Sequence, residues 1–177
     1  KEKNKNIKVF IGPSNNLSDN NFILPLSTFH NSNIILCNES GKFITYNSDR
    51  FGFNNNDFEW DKQIFDILLI GDSFAQGYCV DRENNILSNL RKNSENGFLN
   101  LASGGNGPLI AYASLLEYFP KNKKVKNVVW IITEGDLINL NLEKDNKILM
   151  KYLKDYKYKQ IKKNILFNEF LNFDRKS

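Results

Sequence analysis

Apolar and polar positions follow two different patterns along this chain, and the change comes near residue 62. Before it, the apolar runs are short and closed by turns. Ile7-Lys8-Val9-Phe10-Ile11 stops at Gly12-Pro13, and Ile34-Ile35-Leu36-Cys37 leads into Asn38-Glu39-Ser40-Gly41. Lys42-Phe43-Ile44-Thr45-Tyr46 then alternates as a half-buried strand does. From Gln63 onward the pattern is strand, loop, helix, repeated. Ile67-Leu68-Leu69-Ile70 is a continuous apolar stretch that suits a strand buried on both faces. It breaks off at Gly71-Asp72-Ser73. Phe98-Leu99-Asn100-Leu101-Ala102 is the second strand, entered from Asn96-Gly97 and followed by the loop Ser103-Gly104-Gly105-Asn106-Gly107. Val128-Val129-Trp130-Ile131-Ile132 reads as the clearest buried strand of the chain, ended by Glu134-Gly135-Asp136.

The helices are read from spacing and punctuation. Ile86, Leu87 and Leu90 predict a helix over residues 83–92. Pro108 suits the first position of a helix running to Phe119, where its missing N–H is not needed, and Pro120 closes it. Residues 145–173 read as helical, with Lys147, Lys151 and Lys154 on one side and Ile148, Leu149 and Leu153 on another. Successive βα units imply parallel strands with right-handed crossovers. The expected division is a β-rich extension over residues 1–62 and an α/β domain over residues 63–177.

In a parallel sheet the loops after the strands collect at one edge, where ligands bind. Ser73 there offers a hydroxyl, and the backbone N–H groups of Ser73 and Gly105 offer fixed donors for a developing oxyanion. The bland alternative makes Asp72 and Ser73 turn and N-cap residues. It makes Gly104, Gly105 and Gly107 a tight strand-to-helix connection. A phosphate cradle is the third reading, but the loop lacks the Lys-Ser/Thr ending of a P-loop.

Composition narrows the class. A chain of 177 residues with 41% hydrophobic and 13% aromatic residues fits one globular domain. A net charge of +4 without a basic, aromatic-lined face gives no reason to expect nucleic acid. No window approaches the ~20 apolar residues of a membrane span. The chain starts at Lys1, which leaves an upstream anchor or signal open. Cys37 and Cys79 lack metal-type spacing and are read as two thiols, or as one disulfide in an exported protein; export is favoured slightly over the cytoplasm. The sole histidine, His30, beside Phe29, reads as a packing or surface residue, and Arg50 is expected to pair with Asp49 or a neighbouring carboxylate. Neither a cofactor nor a metal is expected.

Three of these stretches together resemble the SGNH (GDSL-type) hydrolases. Gly71-Asp72-Ser73-Phe74 is similar to the block that holds the serine nucleophile. Gly105 resembles the glycine oxyanion donor by its spacing from Asn100. Glu134-Gly135-Asp136-Leu137 resembles the third block, with Asp136 at the third-block position and the expected asparagine missing. No motif places Asn106 or Asn139 as its substitute. The resemblance implies a three-layer α/β/α, flavodoxin-like domain. It also implies a serine esterase or O-acyl hydrolase, or an acyltransferase, working through an acyl-enzyme on a small-molecule or carbohydrate ester. Ser73 would be nucleophile and oxyanion donor, Gly105 the second donor, and Asp72 a support for the turn. The family's Asp-x-x-His block is absent, since no histidine follows His30. Two expectations compete: a domain continuing past Ser177, whose base lies there, or a fold of this type that binds a glycan or serves assembly without catalysis.

Overall fold

The computed structural model describes residues 7–12, 26–39, 41–91 and 94–159. It is a mixed α/β structure with two small sheets. In the first, β1 (Ile7–Val9) pairs parallel with β2 (Asn33–Cys37), which pairs antiparallel with β3 (Ile44–Asn47). Ile34, Leu36, Ile44 and Tyr46 alternate onto one face and form its own small core.

The second sheet is fully parallel. Its order is β5 (Gly97–Asn100), β4 (Ile64–Ile70) and β6 (Lys124–Trp130), with β4 in the centre. Phe65, Leu68 and Ile70 of β4 join one cluster with Ile110, Ala113 and Tyr118 of α3 (Pro108–Tyr118) and Leu149 and Tyr152 of α5 (Lys147–Lys154). Leu69 turns the other way, to Ala75 of α1 (Ser73–Gln76) and Leu87 of α2 (Ile86–Leu90). The central strand is therefore apolar on both faces because both are covered.

The two outer strands are treated differently. Side chains from before residue 63 close the free edge of β5: the Asn55 amide donates to the Asn100 carbonyl at 2.9 Å and accepts from the Asn100 N–H at 2.8 Å. The Phe98 N–H donates to Glu59 Oε2 at 3.0 Å. Leu26, Phe53 and Trp60 are also buried in the α/β core. No strand pairs with the outer side of β6 among the described residues. Val128 is 44% exposed and Trp130 39%, so the expectation that this strand would be the best buried is overturned. Its apolar side chains sit on an edge, and Ile131 and Ile132 lie beyond the strand's end.

Other boundaries shift for local reasons. The helix expected over residues 83–92 is α2 alone, preceded by a 3-10 turn at Arg82–Asn84, because the Asn85 side chain caps at the Ser88 N–H and starts the helix there. Glu134-Gly135-Asp136 does more than end a strand: it opens α4 (Gly135–Glu143), which pattern reading did not anticipate. In α5 the buried side is Ile148, Leu149 and Tyr152, while Leu153 is exposed. The expected helix beyond residue 159 lies outside the described residues. No helix among the described residues is long and apolar enough to cross a membrane.

Candidate active site

β4 delivers its last apolar residue, Ile70, and the chain then turns at Gly71 with φ of 147°. A Cβ at this position would stand 2.7 Å from the Ile131 carbonyl oxygen and 2.9 Å from the Ala75 side chain, so glycine is needed for both dihedral and space. Asp72 follows as the N-cap of α1, its Oδ1 accepting the Phe74 N–H at 2.9 Å. Ser73 is the first residue of that helix and is partly exposed. Its hydroxyl has no hydrogen-bond partner among the described residues. Gly77, at φ 83°, ends the helix after one turn, its N–H bonded to the Ser73 and Phe74 carbonyls.

The loop after β5 is fastened to this turn. Gln76, buried on α1, accepts the Gly104 N–H at 2.8 Å through Oε1. The Asn100 amide donates to the Ala75 carbonyl at 2.8 Å. Gly105, adjacent, is exposed with φ 81°. Gly12 packs so close that a Cβ on it would meet the Gly104 carbonyl oxygen at 2.4 Å, and the Phe10 ring flanks Gly104. The chain around β1 thus reaches the loop that carries Gly105.

The loop after β6 joins from the other side. Thr133 Oγ1 lies 3.2 Å from Asp72 Oδ2 and 3.3 Å from Asp136 Oδ2, and the Thr133 N–H donates to Asp136 at 2.5 Å. Both carboxylates are buried. Asp72 and Asp136 are therefore linked through one hydroxyl, which donates to one of them at a time. Asp136 holds the turn into α4.

Glu143, at the end of α4, is the residue that sequence reading missed. It is fully buried and caps α3: Oε1 accepts from the Gly107 N–H at 2.8 Å and the Ile110 N–H at 3.3 Å, Oε2 from the Leu109 N–H at 2.7 Å. Burial pushes its carboxyl up to about 7, against the lowering effect of these three donors. Only glycine fits at 107, since a Cβ there would stand 2.6 Å from Glu143 Cδ and 2.7 Å from Asn139 Cβ. Asn139 thus packs against the end of the Gly105 loop. Asn106, in the loop itself, is fully buried with both amide atoms lacking a protein partner.

Residues before 63 are fastened to β5, the strand that leads into the Gly105 loop, through Asn55 and Asn100. Asp49, fully buried, accepts the Phe51 and Phe53 N–H groups through Oδ1 at 2.8 and 2.9 Å, and Asn55 and Trp60 through Oδ2, both at 2.8 Å. Burial raises its carboxyl despite these four donors. Of the partners expected for Arg50, it takes neighbouring carboxylates, Asp57 at 2.8 Å and Asp61 at 3.0 Å. Cys37 and Cys79 form a disulfide with Cα atoms 5.6 Å apart, joining β2 to the segment that follows α1. His30 lies in the turn before β2, and burial lowers its imidazole below the ordinary value.

No group of three or more His, Cys, Asp or Glu side chains among the described residues is placed to hold a metal. No family model matches the chain, and no curated protein or solved structure is significantly similar to it.

Proposed function

We propose that Ser73 is the nucleophile of an ester-cleaving or acyl-transferring site of the SGNH type. The observation that carries it is the placement of Ser73. It heads a one-turn helix at the carboxyl end of the central parallel strand, with its hydroxyl uncommitted, and Gln76 of that helix holds the loop bearing Gly105. Attack by Ser73 Oγ on an ester carbonyl would put negative charge on the carbonyl oxygen. Donors fixed beforehand stabilise that charge without reorganising, and the N–H groups of Ser73 and Gly105 are the ones assigned here. A base would take the Oγ proton during attack and pass it to the departing alkoxide, so that collapse expels the alcohol and leaves an acyl-serine; water or a second hydroxyl, giving its proton to the same base, then takes the acyl group and the serine is reprotonated. Asp72 fixes the turn. Asp136 is given a structural role through Thr133, since its carboxylate is occupied at the turn.

Serine needs a base, and the sequence holds one histidine, His30, in the extension. This observation favours the second reading, a glycan-binding or assembly domain of the same fold without catalysis. Turnover of a small aryl acetate separates the two. Residues 1–177 alone should show little or none. A version carrying an Asp-x-x-His segment downstream should gain activity that Ser73→Ala abolishes. Brisk turnover unaffected by Ser73→Ala would refute the assignment. An inert extended chain that binds glycan would establish the second reading.

A further inference from the structure

A recess of about 240 Å³ opens beside β3, lined by Asn33, Thr45, Tyr46, Asn47 and Arg82. Arg82 gives it a particular chemistry. Three arginines fall among the described residues. Arg50 is neutralised by Asp57 and Asp61, and Arg91 by Glu59 at 3.0 Å. Arg82 instead hydrogen-bonds to neutral acceptors: Nε donates to Asn54 Oδ1 at 2.9 Å, Nη1 to Asn56 Oδ1 at 2.9 Å and Nη2 to the Asn47 carbonyl at 2.6 Å. Its guanidinium sits over the Tyr46 ring at 5.9 Å. Burial lowers its pKa, with Arg91 adding to the fall, against the opposing effects of Tyr46 and Asp49.

These three bonds use three of the five guanidinium N–H groups and lock the plane in place. The remaining two, one on each Nη, have no protein acceptor among the described residues and are left for an oxyanion. Asn33 contributes a side-chain carbonyl, buried and without a protein donor. Cationic N–H groups with no carboxylate partner match a ligand that carries an anionic group. The recess is smaller than the ~300 Å³ at which whole-ligand pockets begin, so it suits one end of a larger molecule.

We propose that this recess is an anion subsite, in which Arg82 takes a carboxylate or phosphate group. It does not rest on the role of Ser73. The test is a titration of isotope-labelled residues 1–177 followed by amide chemical shifts, at constant ionic strength, with glucuronate, inorganic phosphate, glucose and chloride. Glucuronate, phosphate or both should shift the amides of residues 45–47 and 82 saturably, and which one does so identifies the source of the anion. Thr45→Glu places a carboxylate on the exposed rim and should weaken that binding about tenfold or more while melting stays unchanged. Arg82→Gln, which also loses the Asn47, Asn54 and Asn56 bonds, is read only if its spectrum remains folded. Absence of shifts with both anions, equal shifts with glucose or chloride, or undiminished binding by Thr45→Glu would overturn the proposal.

Discussion

Glu143 offers a sharp test of how the Gly105 loop is held. Replacing it by Ala leaves the Gly107 and Leu109 N–H groups, and the weaker Ile110 contact, without an acceptor in a buried place. An orphaned buried donor costs about 1–3 kcal/mol, so the loss expected from two well-formed bonds is about 2–6 kcal/mol. For a chain of this size that is a fall in melting temperature of about 4–24 °C. The residue also gives stability a pH signature. Its carboxyl is raised from 4.5 to about 7 by burial, with Asp136 adding to the rise. Folding therefore favours the neutral acid. The stabilisation is complete below 4.5 and is lost as pH rises through about 7; the shift corresponds to about 3 kcal/mol. Glu143→Gln cannot titrate, so urea denaturation at several pH values should show a fall for the parent chain that is reduced in the variant. Equal pH dependence in both, or a loss under ~0.5 kcal/mol for Glu143→Ala, would refute this account of the cap.

Three further outcomes follow from the same contacts. Reducing the Cys37–Cys79 bridge, which spans 42 residues, should cost about 4 kcal/mol in the chain-entropy limit, measured by denaturation with and without reductant. Asp49→Ala strands two backbone and two side-chain donors and should cost about 3 kcal/mol or more, at about 1–3 kcal/mol per orphaned donor, in the same assay. Gly71→Ala forces a Cβ against Ile131 and Ala75 and should cost about 1–3 kcal/mol, with a visible change in the Trp130 fluorescence.

What the sequence disclosed was local. The run into Gly71-Asp72-Ser73 could be read because a strand buried on both faces, followed abruptly by small polar residues, leaves its mark in consecutive positions. Pro108 marked the start of α3 for the same reason. The contacts that organise the site leave no such mark. Glu143 reaches Gly107 across 36 residues, and Asn55 reaches Asn100 across 45. Both use polar side chains that elsewhere would be read as solvated. The exposure of β6 was misread because an apolar run looks the same in a central strand as on an edge. Helix α4 was missed because Leu137, Ile138 and Leu142 are exposed, which blurs the amphipathic pattern.

The most direct measurement of the central claim is covalent labelling by a fluorophosphonate, with the adduct mapped by mass spectrometry. In a chain that includes an Asp-x-x-His segment, the account predicts a single adduct on Ser73, lost in Ser73→Ala and slowed when Gln76→Ala frees the Gly105 loop. Labelling at another serine, or none in a folded chain that turns over an ester, would contradict it.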